Sequence, residues 1–538
     1  MTEMNEPGVL LNLEVGLIDL LRGDLEIAGW TVEGVDALLS PMSKSAMERD
    51  QMVPAILQLR DHTSAMAVLT SLFILAQPMV RSSVSYALPH LGVEGAVALG
   101  IVVEDEEDGL VRATVDLRPH AATIPNWDAD PQDEEARTIT HNWWVASDQS
   151  QVQTGRPPTD DYVLGIASAS TNLLRMTMRQ KVSSAMDMGT GCGILALYLA
   201  THAKRVVATD ISERACNFTR FNSLLNQVEV DVRQGSLFEP VEGESFDLIT
   251  SNPPFVITPD AVRKRANLEY RDGGLSRDNL IPLIMKTAVQ HLNDGGTLQM
   301  LANWEVEAKP ERWQRRPRRW VEEAAEPLLA DGRSVDAWVV QRDLIDVAQY
   351  AEWWMRDQWG EGVPREMWAA EYETWLKDFF RAGAWWVGLG SIAIRVGRTL
   401  GMPPGELTFV AEHLSEGEPL DGVAVATALG NLQLPEDWGS TVFERQGDVR
   451  EVRYYVPGQS DPELIRVTQG RAGGRERTVS SAVAALIGVS EGELAPNQVI
   501  PAVAHLLGKS GDDVLEEVQE ALPELLRSGV LVVVEPQG

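Results

Sequence analysis

Three apolar stretches in the middle of the chain, 182–188, 205–209 and 246–251, read as buried strands. Each ends in residues that a buried strand would not choose for itself. The first runs into Asp187-Met-Gly-Thr-Gly-Cys-Gly193, the second into Asp210, and the third into Asn252-Pro-Pro-Phe255. Further strands are predicted at 228–233 and 297–302, with helices near 193–203, 212–226 and 277–292. Strands with loop chemistry at their C-terminal ends and helices between them predict an α/β fold, an open Rossmann-like sheet with a ligand crevice.

The flanks follow other periods. Residues 1–135 read as a mostly helical domain, with apolar spacing near 3.6 from Leu10 to Leu21 and from Ala46 to Leu59. From Ser82 to Leu117 the order is helix, turn, helix, acidic turn and alternating strand, which fits a winged-helix-like module. Such a module is a nucleic-acid reader or a packing domain, and here its basic residues are chiefly Arg81 and Arg112. Ala121 to Glu135, rich in proline and acids, is the expected linker to a central domain at 136–398. Two helical stretches, about 344–358 and 364–382, form an insertion spanning about 344–383 between strands 335–341 and 386–395. Residues 304–386 hold eleven of the sixteen tryptophans, spaced for core packing or for an aromatic surface that stacks bases or grips a peptide. Residues 399–538 form a third unit, in which helices at 478–486, 498–507 and 514–526 lead into the apolar strand 530–534, again winged-helix-like.

Composition narrows the classes. A formal net charge of -33 over 538 residues argues against nonspecific coating of nucleic acid. Two cysteines, Cys192 and Cys216, give no disulfide framework. The acidic start lacks an apolar core, and the longest apolar run, Ala65 to Val80, is shorter than a membrane span. A cytoplasmic protein with no membrane partner is expected. No histidine pairs with cysteine or acid at ligand spacing, so no metal is expected.

The strand ends carry the chemistry. Glycines 189, 191 and 193 let the backbone turn tightly and approach a ligand, and the helix that follows presents free N–H groups. Asp210, at the next strand end, suits the hydroxyls of a ribose, or else caps the helix opened by Ser212-Glu213. In Asn252-Pro-Pro-Phe255 the prolines remove backbone donors, Asn252 brings an amide oxygen and Phe255 a flat apolar face. Together they suit a planar –NH₂ group whose lone pair is aimed at an electrophile.

These motifs resemble the class I S-adenosylmethionine-dependent methyltransferases with an Asn-Pro-Pro-aromatic motif. Within that group the chain is similar to the HemK-like release-factor glutamine methyltransferases, over roughly residues 160–305. The ribosomal RNA guanine methyltransferases share the same core motifs. The resemblance implies a seven-stranded core, completed by strands 335–341 and 386–395, and S-adenosyl-L-methionine as cofactor. Asp187, Gly189, Thr190, Gly191, Cys192 and Gly193 would line its methionine part, Asp210 its ribose, and Ser236 and Leu237 its adenine. Asn252, Pro253, Pro254 and Phe255 would form the catalytic amine cradle. Of the family's Arg-Pro-Asp-Thr-Glu segment, only Thr171 is matched, within Ser168-Ala-Ser-Thr-Asn172, and it joins the cofactor set. The family's adenine-contacting acid is replaced by Ser236.

Two basic clusters break the acidic background. One is Arg263-Lys-Arg265 with Arg271 and Arg277; the other is Lys309 with Arg312, Arg315, Arg316, Arg318 and Arg319. They either meet phosphates at the crevice mouth or pair with nearby acids. The acceptor is accordingly a protein glutamine side chain, with a translation factor as its partner, or an adenine or guanine amine in RNA or DNA. A non-catalytic S-adenosylmethionine-binding regulator is the alternative from another class.

Overall fold

The computed structural model describes residues 10–125, 138–156, 158–263, 271, 273–359, 363–397, 405–415, 419–469 and 476–534. Its centre is one sheet. The strands are β1 (Val182–Met188), β2 (Ala203–Asp210), β3 (Asp231–Gln234), β4 (Phe246–Ser251), β5 (Leu292–Val306), β6 (Val335–Asp346), β7 (Trp386–Val396) and β8 (Leu407–His413). They lie in the order β8-β6-β7-β5-β4-β1-β2-β3. All neighbours are parallel except β7, which runs antiparallel to both β5 and β6. β1 and β4 are central, and Ala185, Met186, Leu248 and Ile249 on them are buried, as two-sided burial of a parallel strand requires.

The helices that matter for the crevice are α1 (Ser168–Met176), α2 (Ile194–Leu199), α3 (Glu213–Leu225), α4 (Leu280–Ala288) and α5 (Arg315–Ala330). The inserted pair is α6 (Val347–Trp359) and α7 (Arg365–Arg381). It joins β6 to β7 at the sheet end where β5 finishes, because Trp385 N donates to Val306 O at 2.9 Å. The tryptophans serve mainly as packing: Trp304, Trp338 and Trp375 are fully buried and Trp313 and Trp320 nearly so, while Trp353 and Trp385 are exposed.

Two expected boundaries move. The domain limit at 398/399 cuts the sheet, because β8 pairs in parallel with β6 from Val335↔Leu407 to Gln341↔His413. The sheet therefore has eight strands, and α8 (Gly422–Gly430) packs on α1, β6 and β7. The expected linker from 121 begins as strand: Asp116–Pro125 pairs antiparallel with Thr138–Ser147 in a two-stranded ribbon. Pro119 and Pro125 are tolerated because each strand of the ribbon has an edge free of a ladder.

The N-terminal unit has the expected pair of helices, adds two strands to the one expected, and ends that strand at Ala113 rather than Leu117. Strand Met79–Val80, helices Arg81–Ala87 and Gly92–Leu99, and strands Val102–Glu104 and Leu110–Ala113 form two helices on a three-stranded sheet. Both basic residues singled out there are in ion pairs: Arg81 with Glu94 and Glu104, and Arg112 with Asp105 and Asp108. In the C-terminal unit, helices Ser481–Val489, Pro496–Leu507 and Gly511–Arg527 precede strand Leu531–Val533, which pairs with Phe443–Arg445. No helix of the described residues is long and apolar enough to cross a membrane.

Candidate active site

A cavity of about 520 Å³ opens at the C-terminal ends of β1, β2 and β4. Of the residues expected at the cofactor, Gly189, Thr190, Gly191, Cys192, Asp210, Ser236 and Leu237 line it. Asn252, Pro253 and Pro254 line its other side. Gly189 and Gly191 turn the loop with φ of +75° and +55°, and a Cβ on either would meet no protein atom within 4 Å. The loop thus offers bare backbone to the cavity.

Asp210 holds this loop in place. Its Oδ2 accepts from Gly191 N at 3.0 Å and its Oδ1 from Ser212 N at 2.9 Å. Burial pushes its carboxyl up, and these amide donors oppose that shift. Helix capping falls to Ser212, whose hydroxyl accepts from Ala215 N, so Asp210 keeps its place on the cavity wall. Asp187 lies beneath the loop rather than on the cavity wall. It is fully buried, its Oδ2 accepts from the Thr190 hydroxyl at 2.7 Å, and its Oδ1 makes no hydrogen bond. Burial raises its carboxyl to about 7.

Gly193 does not line the cavity. It opens α2 at φ +84°, and a Cβ there would lie 2.9 Å from Thr219 Cγ2 on α3. Its hydrogen seats two helices together. Thr171 is exposed and donates to Ala167 O at 3.1 Å, so it turns away from the cavity. One residue earlier on α1, Ser170 lines the cavity and accepts from Asn252 Nδ2 at 3.2 Å. Phe255 is also absent from the cavity wall. It packs against the sheet core around Met300 and against the insertion core around Tyr350.

The cradle side is fixed from two directions. Ile257 N and Asn303 Nδ2 both donate to the Tyr350 hydroxyl, at 2.9 and 3.2 Å, tying the segment after the cradle to α6 and β5. Arg277 pairs with Glu305 and with Asp378 at 2.6 Å, while Arg316 pairs with Asp278 at 2.5 Å and Glu305 at 3.4 Å. Arg271 is buried beside Asp357 at 3.8 Å. Arg318 and Arg319 face Glu322 and Glu323 one helical turn on. Pairing with acids therefore accounts for these five arginines, whereas Lys309, Arg312 and Arg315 pair with no acid among the described residues; Lys264 and Arg265 lie outside them.

Sequence reasoning missed the segment Asp161–Gly165, which lines the cavity. Asp148 holds it, accepting from Val163 N at 2.8 Å and pairing with Arg214 at the start of α3. The one signal in sequence was Gly165, where a Cβ would come within 2.8 Å of Ser147 Oγ. Ile211, exposed but lining the cavity, and Leu275, Leu280, Leu283 and Ile284 on the cradle side were also missed.

The residues present fit S-adenosylmethionine. A glycine loop without Cβ atoms, a strand-end carboxylate at Asp210 and a buried, half-satisfied Asp187 beneath suit a nucleoside bearing a charged amino-acid tail. The comparisons with known proteins agree. Residues 165–314 match the family described as methyltransferase small domain, and residues 27–114 match a domain of unknown function (DUF7059). The chain is 31% identical over 141 residues to ribosomal RNA small subunit methyltransferase C of Salmonella arizonae, covering 26% of this chain and 36% of that protein. It is 35% identical over 127 residues to the release factor glutamine methyltransferase of Geobacter sulfurreducens, covering 22% of this chain and 44% of that one. The chain thus spans less than half the length of either relative. A solved methyltransferase from Pyrococcus furiosus aligns with TM-score 0.23 and 16% identity, over 43% of this chain and 83% of that one. Set in a longer chain with flanks of its own, residues 165–314 have the class I methyltransferase fold and are similar to the methyltransferase small domain.

Proposed function

We propose that this protein transfers the methyl group of S-adenosylmethionine to a planar –NH₂ nitrogen, and that the acceptor is the side-chain amide of a protein glutamine. The observation that carries this reading is Asn252. Its Oδ1 is buried without a hydrogen-bond partner, on a residue that lines the cavity. A buried unpaired acceptor costs about 1–3 kcal/mol, so its retention points to a donor that arrives with the substrate. Pro253 and Pro254 have no N–H to compete for that place. When bound, the cofactor supplies an electrophilic methyl on a sulfonium.

The chain's own residues would bind and orient. Asp210 holds the nucleoside end and the glycine loop the methionine end, Asn252 accepts an N–H of the acceptor, and the Tyr350 hydroxyl keeps the cradle's exit segment still. Placement of this kind lowers the barrier without a general base. A protein acceptor is favoured over a nucleic acid because Arg271, Arg277 and Arg316, which would have met phosphates, are each engaged by acids.

The test is label transfer from methyl-labelled S-adenosylmethionine into an extract of cells lacking this gene, followed by separate protease and nuclease digestion. Protease-sensitive label that maps to glutamine supports the reading. Nuclease-sensitive label replaces it with a base amine, and tight cofactor binding with no transfer replaces it with a regulator.

A further inference from the structure

Where the inserted helices meet α5, the surface carries groups that the fold itself does not use. Phe380, in the last turn of α7, and Trp385, just before β7, are 48% and 51% exposed, with ring centres 5.2 Å apart. Large aromatics standing side by side in water are the usual anchors of protein interfaces. Trp385 N donates to Val306 O, which places this pair where β5 ends. The chain leaving β5 there carries Lys309, Arg312 and Arg315, all exposed and none paired with an acid among the described residues.

Glu305 pins the two segments together. Arg277 bridges it to Asp378, two residues before Phe380, and Arg316, next to Arg315, reaches it at 3.4 Å. The inner arginines of this cluster are thus matched by acids and the outer cations are not, in a chain with 79 acidic residues against 46 basic ones. We propose that this rim docks an acidic segment of the acceptor protein, with Phe380 and Trp385 receiving an apolar side chain from it. This rests on the protein-acceptor reading given above.

The rim is well placed for that task. Met300 pairs with Ser251, the residue before Asn252, and β5 runs on from there to Val306. That overhang is about 20 Å at the rise of a strand, so a segment seated on the rim reaches the cradle through roughly six extended residues. Glu307 and Glu311, both exposed, alternate with the cations. A phosphate backbone brings only negative charge and is repelled by them, whereas a polypeptide can set a basic or neutral residue opposite each.

The test is the rate of label transfer from methyl-labelled S-adenosylmethionine into an extract of cells lacking this gene, catalysed by the full chain. Replacing Lys309, Arg312 and Arg315 together by alanine should slow transfer into protease-sensitive label about ten-fold, and Trp385→Ala should do so by a similar factor. Cofactor affinity, read by calorimetry, should stay within about two-fold in both, since none of these side chains lines the cavity. Transfer by the wild type should fall as salt rises, and that by the triple variant should respond far less. Poly-L-glutamate should inhibit the wild type and spare the triple variant. Should Trp385→Ala melt early, the triple variant decides alone, because its three altered side chains are exposed.

A wild-type rate in the triple variant, with cofactor binding intact, overturns the docking surface and leaves the acceptor reading in place. Inhibition by poly-L-glutamate that persists in the triple variant also overturns it. Nuclease-sensitive label whose transfer slows in the triple variant makes the rim a nucleic-acid surface and overturns both readings. No transfer by the wild type removes the acceptor reading, and this inference with it.

Discussion

The side-chain amide of Asn222 pairs with both backbone groups of Ala146: its Nδ2 donates to Ala146 O at 2.9 Å and its Oδ1 accepts from Ala146 N at 2.8 Å. Four residues on, Asn226 does the same for Trp144, at 2.8 Å in both directions. A rise of about 6 Å over four helical residues nearly equals that of two strand residues, so helix α3 stands in for a missing strand beside the ribbon. Asn217 repeats the pairing with Leu11, and Asn222 Nδ2 also donates to Cys192 O in the glycine loop at 2.8 Å. One helix thus joins the N-terminal unit, the ribbon and the cofactor loop.

Replacing Asn222 with alanine should therefore do two things at once. It strips partners from three backbone groups, which should destabilise the chain by about 2–3 kcal/mol. It should also loosen the Cys192 carbonyl and weaken S-adenosylmethionine binding several-fold. Denaturant unfolding and calorimetry check the pair of effects; a stable variant with normal binding would show that the loop needs no tether.

Gly189 and Gly193 should separate binding from folding. Alanine at 189 meets no protein atom within 4 Å, so at φ +75° it should cost only the backbone strain of about 1 kcal/mol and should lower cofactor affinity by more than that. Alanine at 193 drives a methyl into Thr219 at a left-handed backbone angle and should cost about 2 kcal/mol or more of stability. Thermal melts with and without S-adenosylmethionine distinguish the two.

Asp187 sets a pH dependence with a definite sign. Its carboxyl, ordinarily near 3.8, is raised to about 7 in the folded chain by burial. Between these values the folded state holds a proton that the unfolded state has released, so this group's contribution to stability is complete below pH 4 and lost as pH rises through about 7. Asp187→Asn removes the titration. Its stability relative to wild type should climb between pH 4 and 7; a flat difference across that range would refute the assignment.

Tyr350→Phe removes the one hydroxyl that receives Ile257 N and Asn303 Nδ2. The loss of both bonds should cost about 1–3 kcal/mol. Because Ile257 follows the cradle, methyl transfer should fall by more than cofactor affinity does. A KM-against-kcat measurement on the labelled extract reads the split.

Arg277→Ala should be the costliest of the surface-proximal changes, because it leaves Glu305 buried with one cation fewer. A loss of about 3 kcal/mol or more is expected, against near-neutral Arg319→Ala, whose partner Glu323 is solvated. Paired denaturation curves make the comparison.

The sheet's parallel core was legible because its strands are continuous apolar runs closed by polar or glycine residues. Strands 182–188 and 246–251 were expected at the bounds observed. The inserted helices were found within a few residues because Trp375 and Phe379 recur at helical spacing and are buried. Residues 121–125 of the ribbon were read as linker because Pro125 and the acids after it look like a break until the partner strand shows that proline at an edge. β8 was missed because Leu407–His413 is short and mostly half-buried, with no period that separates it from the third unit. The cradle and glycine loop were visible as motifs. What was not visible was contact between distant segments: Ser170, in place of the expected Thr171, on the cavity wall and bonded to Asn252, and Asp148 bonded to Val163.

β8 ends at a shared carboxylate. Glu412 accepts from Trp338 Nε1 on β6 at 2.8 Å and from Arg527 in the last helix at 3.2 Å. A fragment cut at the expected domain limit, residue 398, would lose this seven-residue strand and bare the backbone of β6 from Val335 to Gln341. Unpaired strand edges of that kind recruit other chains. Insolubility of such a fragment would then reflect an exposed seam in the sheet, and a useful recombinant core must run past residue 430.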